Sequence, residues 1–64
     1  MSNKDIIDEA YMMALDDIVE GYQTIESLKL QLEVFEEEEE YLICAGIHKA
    51  ITNIEESLKT YKDN

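Results

Sequence analysis

Three side chains near the middle of the sequence have types that can bind a transition metal. Glu40, Cys44 and His48 recur every four residues, so a helix would place them on one face. However, the set has only one cysteine and one histidine, and Glu40 belongs to a run of glutamates that needs no ligand role. As a catalytic pair, Cys44 and His48 lack an orienting third group and an oxyanion donor. The sequence therefore predicts no metal, no cofactor and no enzymatic activity.

The most distinctive stretch is FEEEEEY at residues 35–41, where five glutamates follow one another. No basic residue occurs between Lys29 and Lys49, whereas Glu33 and Glu36, Glu37, Glu38, Glu39 and Glu40 supply six negative charges. We call these six glutamates the acidic pole. The run lacks the loop pattern and the glycine of a calcium-binding EF-hand. It is either a solvated turn or a surface that a basic partner binds, and our functional hypothesis is the second.

The overall composition agrees with a basic protein partner. Sixteen acidic residues against five lysines give a formal net charge of −11, which argues against nucleic acid or an anionic membrane as a direct ligand. The simpler alternative is that the acidic residues only keep the protein in solution. The N-terminus does not resemble a signal peptide and no apolar run is long enough to span a membrane, so we expect a cytoplasmic protein.

Helical periodicity predicts an all-α fold. Apolar residues at steps of three and four run from Ile7 to Phe35, and a second such stripe runs from Ile43 to Tyr61. We predict an antiparallel helical hairpin with helix one at about 3–36, a turn at 37–39 and helix two at about 40–62. Gly21 lies on the first stripe and is interpreted as a close-packing point, because neither proline nor a strong N-cap follows it. A single long helix in a coiled-coil dimer and a three-helix monomer broken near Gly21 are the alternatives.

A hairpin of unequal helices leaves apolar residues uncovered. We predict that its core contains Ile25, Leu28, Leu32, Ile47 and Ile54, while residues 3–13 extend past helix two by about 15 Å. A second stripe on helix one would face another neighbour, so we expect a homodimer that forms a four-helix bundle or coiled coil. The residues predicted for this dimer or partner interface are Ile6, Tyr11, Met12, Met13, Leu15, Val19 and Tyr22.

The sequence resembles two groups of known proteins. In length, charge and helix content it resembles small acidic bacteriophage proteins that inhibit nucleases or other DNA-binding proteins of the host. Carboxylates spaced along a helix can imitate a phosphate backbone and occupy a basic nucleic-acid groove. In layout it also resembles the helical-hairpin co-chaperones of type III secretion needle subunits, whose second helix has an aromatic residue followed by alanines and isoleucines, as at Tyr41, Ala45, Ala50, Ile51 and Ile54. The first resemblance implies an inhibitor of a basic protein. The second implies a chaperone or assembly factor that captures an apolar helix, and neither assigns functional residues.

Overall fold

The chain folds into three helices instead of two. The computed structural model describes residues 2–62, with side chains as far as residue 59. Its helices are α1 (Asn3–Glu20), α2 (Ile25–Glu37) and α3 (Tyr41–Lys62), and residues 2–62 contain no strand. The predicted all-α class is confirmed. The predicted continuous helix over 3–36 is wrong, because the chain reverses between α1 and α2, as in the three-helix alternative.

α1 ends at Gly21, which has a left-handed backbone conformation with φ of 83°. The Gly21 N–H donates to the Ile18 carbonyl at 3.1 Å, and the Tyr22 N–H donates to the Asp17 carbonyl at 2.8 Å. These are the two hydrogen bonds of a Schellman motif, in which glycine is the preferred left-handed residue. The interpretation of Gly21 as a close-packing point is therefore wrong, since a Cβ added there would meet nothing within 4 Å.

α2 begins at an N-cap that the sequence analysis did not identify. The Thr24 hydroxyl accepts from the Ser27 N–H at 3.1 Å, and the Ser27 hydroxyl accepts from the Thr24 N–H at 2.9 Å. This is a capping box in which serine takes the place of the usual glutamate or glutamine. The left-handed residue Gly21 ends α1, and the N-cap Thr24 begins α2. The helix is therefore broken here although the apolar periodicity continues across the break.

The second reversal is made by glutamates. The Glu39 N–H donates to the Glu36 carbonyl at 3.1 Å and the Glu40 N–H donates to the Phe35 carbonyl at 2.9 Å. This is again a Schellman pattern, but Glu39, at φ of 62°, occupies the left-handed position where glycine is usual. The chain thus reverses at residues 38–40, one residue later than the predicted turn at 37–39, with a strained side-chain-bearing residue at its centre.

That strain gives a testable prediction about Glu39. Replacing it with glycine removes the steric cost of the left-handed conformation, so Glu39→Gly should raise the free energy of unfolding by about 1 kcal/mol. Glu38→Gly is the matched control, because it removes the same charge from a residue whose φ is an ordinary −83°. Urea denaturation measures both. Equal effects of the two substitutions would contradict a strained Glu39.

α3 is the central helix, since α1 and α2 both pack on it and barely contact one another. Leu28 of α2 is fully buried and Ile47 of α3 is 4% exposed, as predicted for the core. Ile25 and Leu32 are half-buried against this cluster. Ile54 is also only half-buried. The buried cluster consists of Ala14, Leu28, Ile47, Ala50 and Ile51.

α1 crosses α3 at Gly46. A Cβ added at Gly46 would lie 2.5 Å from the Ile7 carbonyl oxygen and 2.6 Å from the Ala10 Cβ, so only glycine fits at this crossing. Further along α3, the Asn53 side-chain amide donates to the Tyr11 hydroxyl, and the Lys49 ammonium lies 4.8 Å from the centre of the Tyr11 ring. The predicted overhang of residues 3–13 is therefore wrong, because these residues fold back along α3.

Candidate interaction surfaces

The cysteine and the histidine differ in burial. Cys44 is 8% exposed and its Sγ donates to the Leu32 carbonyl at 3.9 Å, whereas His48 is exposed. Burial, with the nearby charge of Glu36, raises the pKa of the Cys44 thiol. Cys44 is thus a core side chain whose burial favours the thiol over the thiolate. Within the described residues, no group of three histidine, cysteine, aspartate or glutamate side chains could hold a metal ion.

The acidic pole is exposed at all six positions. Glu36 and Glu37 lie in the last turn of α2, and Glu38–Glu40 form the reversal. Acidic residues at a helix C-terminus repel the partial negative charge of its carbonyl groups, so this placement does not stabilise α2. The ion pairs among the described residues, Lys4–Asp8 at 3.4 Å and Lys29–Glu55 at 3.2 Å, do not involve the pole.

The seven residues predicted for an apolar interface separate into three groups. Tyr11 and Leu15 are half-buried and pack against the core of their own chain. Met12, Val19 and Tyr22 are 54%, 81% and 78% exposed, and the first two share one face of α1 because they are seven residues apart. The remaining two, Ile6 and Met13, line a groove on another face of α1.

This groove lies between α1 and α2, where the two helices fail to meet. It has a volume of about 370 Å³, and Ile43 and Ile47 of α3 form its floor. Ile6 and Ala10 lie in the α1 wall, and Phe35 lies in the α2 wall. The remaining lining residues are Glu9, Met13, Ala14, Asp17, Gln23 and Gln31. We call this space the α1–α2 groove; it is mostly apolar, with polar groups at its edges.

The two edges of the α1–α2 groove differ in charge. Glu9 lines the α1 side, and Asp16 and Glu20 share its helix face because they follow it by seven and eleven residues. At one end, the Asp17 carboxylate accepts a hydrogen bond from the Gln23 side-chain amide at 2.7 Å. No lysine is among the lining residues that the structure describes.

The α2 side of the groove is uncharged instead, with Gln31 and Phe35 as its lining residues. Val34 follows the lining residue Gln31 by three positions and Leu30 by four, so these side chains are neighbours on the helix. Leu30 is 64% exposed and Val34 is 53% exposed. Apolar surface therefore continues from the groove onto the outer face of α2, opposite the acidic edge on α1.

None of the described helices is long and apolar enough to cross a membrane. Comparison with known proteins gives no further assignment: no family model matches the sequence, and no match was found among curated proteins or solved structures. The candidate surfaces therefore rest on the geometry of this chain. The groove was not predicted from the sequence, in which Gly21 followed by Thr24 and Ser27 marks only the helix break between its two walls.

Proposed function

We propose that this protein is a non-enzymatic interaction protein that binds a basic protein partner through its acidic surface. The observation that carries the proposal is the acidic pole, whose six glutamates are all exposed and none of which takes part in the ion pairs formed among the described residues. Their charges are therefore available to cations of another molecule. A partner that binds nucleic acid is the preferred class, because carboxylates can occupy a surface that otherwise binds phosphates.

Electrostatics supports such binding in two ways. A net charge of −11 on 64 residues accelerates encounter with a basic surface and disfavours acidic partners. Occupation of a basic nucleic-acid site would prevent the partner from binding phosphates, so the biological consequence we propose is inhibition.

A second candidate function is that of a chaperone or assembly factor. The α1–α2 groove favours it, since an apolar groove between two helices can hold a partner helix. The two candidates differ in their dependence on salt. Binding through charge weakens as the Debye length falls from about 10 Å at 0.1 M to about 3 Å at 1 M salt, whereas apolar capture does not.

An affinity-capture experiment tests the proposed function. The tagged protein is incubated with a lysate of its native cell, and bound proteins are eluted with steps of sodium chloride and identified by mass spectrometry. We expect a partner with an excess of lysine and arginine that elutes as salt rises. A partner that is acidic or neutral and stays bound at 1 M salt would contradict the proposal and favour the chaperone.

Self-association is a separate part of the proposal. Met12, Val19 and Tyr22 leave exposed apolar surface on the protein, whereas the net charge of −11 opposes contact between copies. We therefore predict that sedimentation equilibrium at micromolar concentration detects a homodimer whose population increases with salt. Val19→Gln should weaken it. A folded 7.4 kDa species at every salt concentration would contradict the dimer.

A further inference from the structure

We infer that the α1–α2 groove is the docking site for an amphipathic helix whose apolar side chains enter the groove and whose basic side chains lie along the acidic edge of α1. The inference rests on the proposed function, since it identifies the binding element of the basic partner. It goes beyond that function because it places the contact on a surface other than the acidic pole.

The shape of the groove fits a helix. Along α1 its lining residues extend from Ile6 to Asp17, a separation of eleven residue steps that spans about 16 Å. This is the length of about three helical turns. A partner helix seated there would lie on the floor formed by Ile43 and Ile47 and between two walls, completing a bundle in which α1 and α2 now barely touch. Its anchors would recur at steps of three and four.

The charge distribution selects the kind of helix. Glu9, Asp16 and Glu20 form one row on the α1 edge, and no described lysine lines the groove. The three lysines with described partners interact elsewhere: Lys4 with Asp8, Lys29 with Glu55, and Lys49 with the Tyr11 ring. A helix with lysine or arginine beside its apolar stripe would therefore meet carboxylates on one edge and the apolar Leu30 and Val34 on the other.

The same charges disfavour a second copy of this chain as the occupant. A second copy would bring another −11 charge against the acidic edge of the groove. The self-association proposed above uses Met12 and Val19, which lie on a different face of α1 from Ile6 and Met13.

The test uses a synthetic peptide of about 14 residues made only of leucine and lysine, with leucines at helical spacing. A peptide of the same composition in scrambled order, without an apolar stripe, controls for non-specific attraction between charges. Isothermal titration calorimetry at 0.15 M salt gives the dissociation constants. The striped peptide is expected to bind and the scrambled peptide to bind at least about tenfold more weakly, because it cannot bury its leucines together.

Two adjacent methionines provide a matched pair of variants. Met13 lines the groove and is 62% exposed, whereas Met12 lies outside it and is 54% exposed. At a protein concentration at which the chain is monomeric, Met13→Gln should weaken binding of the striped peptide by about tenfold, while Met12→Gln should change it less than about twofold. Both positions are exposed enough that either variant should fold, which circular dichroism verifies. In protein labelled at methionine methyl groups, the peptide should shift the Met13 NMR signal and leave the Met12 signal in place.

The outcomes separate this inference from the proposed function. Equal effects of Met12→Gln and Met13→Gln, equal affinity for the two peptides, or no binding of either peptide would overturn the groove as a docking site. The proposed function would then still stand if the native partner is basic and is released by salt. If the native partner is not basic, the proposed function fails even where the striped peptide occupies the groove.

Discussion

Leu28→Ala should unfold the protein or leave it barely folded. Leu28 is fully buried in a cluster to which all three helices contribute, and truncating such a leucine costs about 2–5 kcal/mol through lost burial and the cavity left behind. A domain of 64 residues has a total stability of similar size. Thermal denaturation followed by circular dichroism should show loss of the cooperative transition, or a large fall in its midpoint.

Leu30→Ala is the control for this prediction. It makes the same chemical change two residues later on α2, at a side chain that is 64% exposed, so the free energy of unfolding should change by less than about 1 kcal/mol. Similar melting of the two variants would show that Leu28 is not at the centre of the core.

Gly46→Ala should destabilise the protein although alanine is the better helix former. Helix propensity alone predicts that alanine in place of glycine within α3 stabilises by about 1 kcal/mol. The new Cβ would instead press on backbone atoms, since it would lie 2.5 Å from the Ile7 carbonyl oxygen and 2.9 Å from the Tyr11 nitrogen. Overpacking of this kind costs about 1–3 kcal/mol and forces α1 away from α3.

Whether Gly46→Ala lowers or raises the free energy of unfolding tests how closely α1 and α3 approach each other at their crossing. Urea denaturation of Gly46→Ala should show a lower free energy of unfolding than the parent. Gly21→Asn provides a contrast, because asparagine tolerates the left-handed conformation and Gly21 has open space around it. The same substitution at the helix crossing, Gly46→Asn, should lower the free energy of unfolding far more than Gly21→Asn does. A stabilising Gly46→Ala would contradict the close contact.

Local patterns predicted much of the second half of the molecule. The apolar stripe from Ile43 predicts a helix, and the absence of apolar residues at 36–40 locates the reversal before it. α2 and α3 also pack against each other across this reversal, since the Cys44 Sγ lies 3.9 Å from the Leu32 carbonyl oxygen. These features depend on residues close in sequence or on a single short connection, so the local pattern of apolar and acidic residues is enough to predict them.

The first half of the molecule was harder to predict, because one apolar periodicity runs through both α1 and α2. The steps of three and four continue across Gly21, so periodicity alone cannot distinguish a long helix from a broken one. The capping residues distinguish a broken helix from a long one. The capping box of Thr24 was not recognised because Ser27 stands where the usual pattern has glutamate or glutamine. Once α1 folds back, Tyr11 packs against α3 and ceases to be part of an overhang.

The two candidate surfaces also differ in how far sequence could locate them. The acidic pole is contiguous in sequence, so its position was predictable from the run of glutamates. The α1–α2 groove is formed by residues from Ile6 to Ile47 on three helices. Its existence depends on α1 and α2 both packing on α3 without meeting, which is a tertiary property that no local pattern specifies.

The most direct test of the proposed function is the affinity of the native partner for a variant in which Glu36–Glu40 are all glutamine. Glutamine nearly preserves size and helix propensity while removing five charges, so folding should be unchanged or slightly improved. Glu26→Gln, at an exposed site outside the pole, gives the effect of removing a single charge elsewhere. The dissociation constants are measured at 0.1 M and 1 M salt. We predict that the five-glutamine variant binds about tenfold or more weakly at low salt and that its affinity depends less on salt than that of the parent. Equal affinities and equal salt dependence of variant and parent would contradict a partner-binding role for the acidic pole.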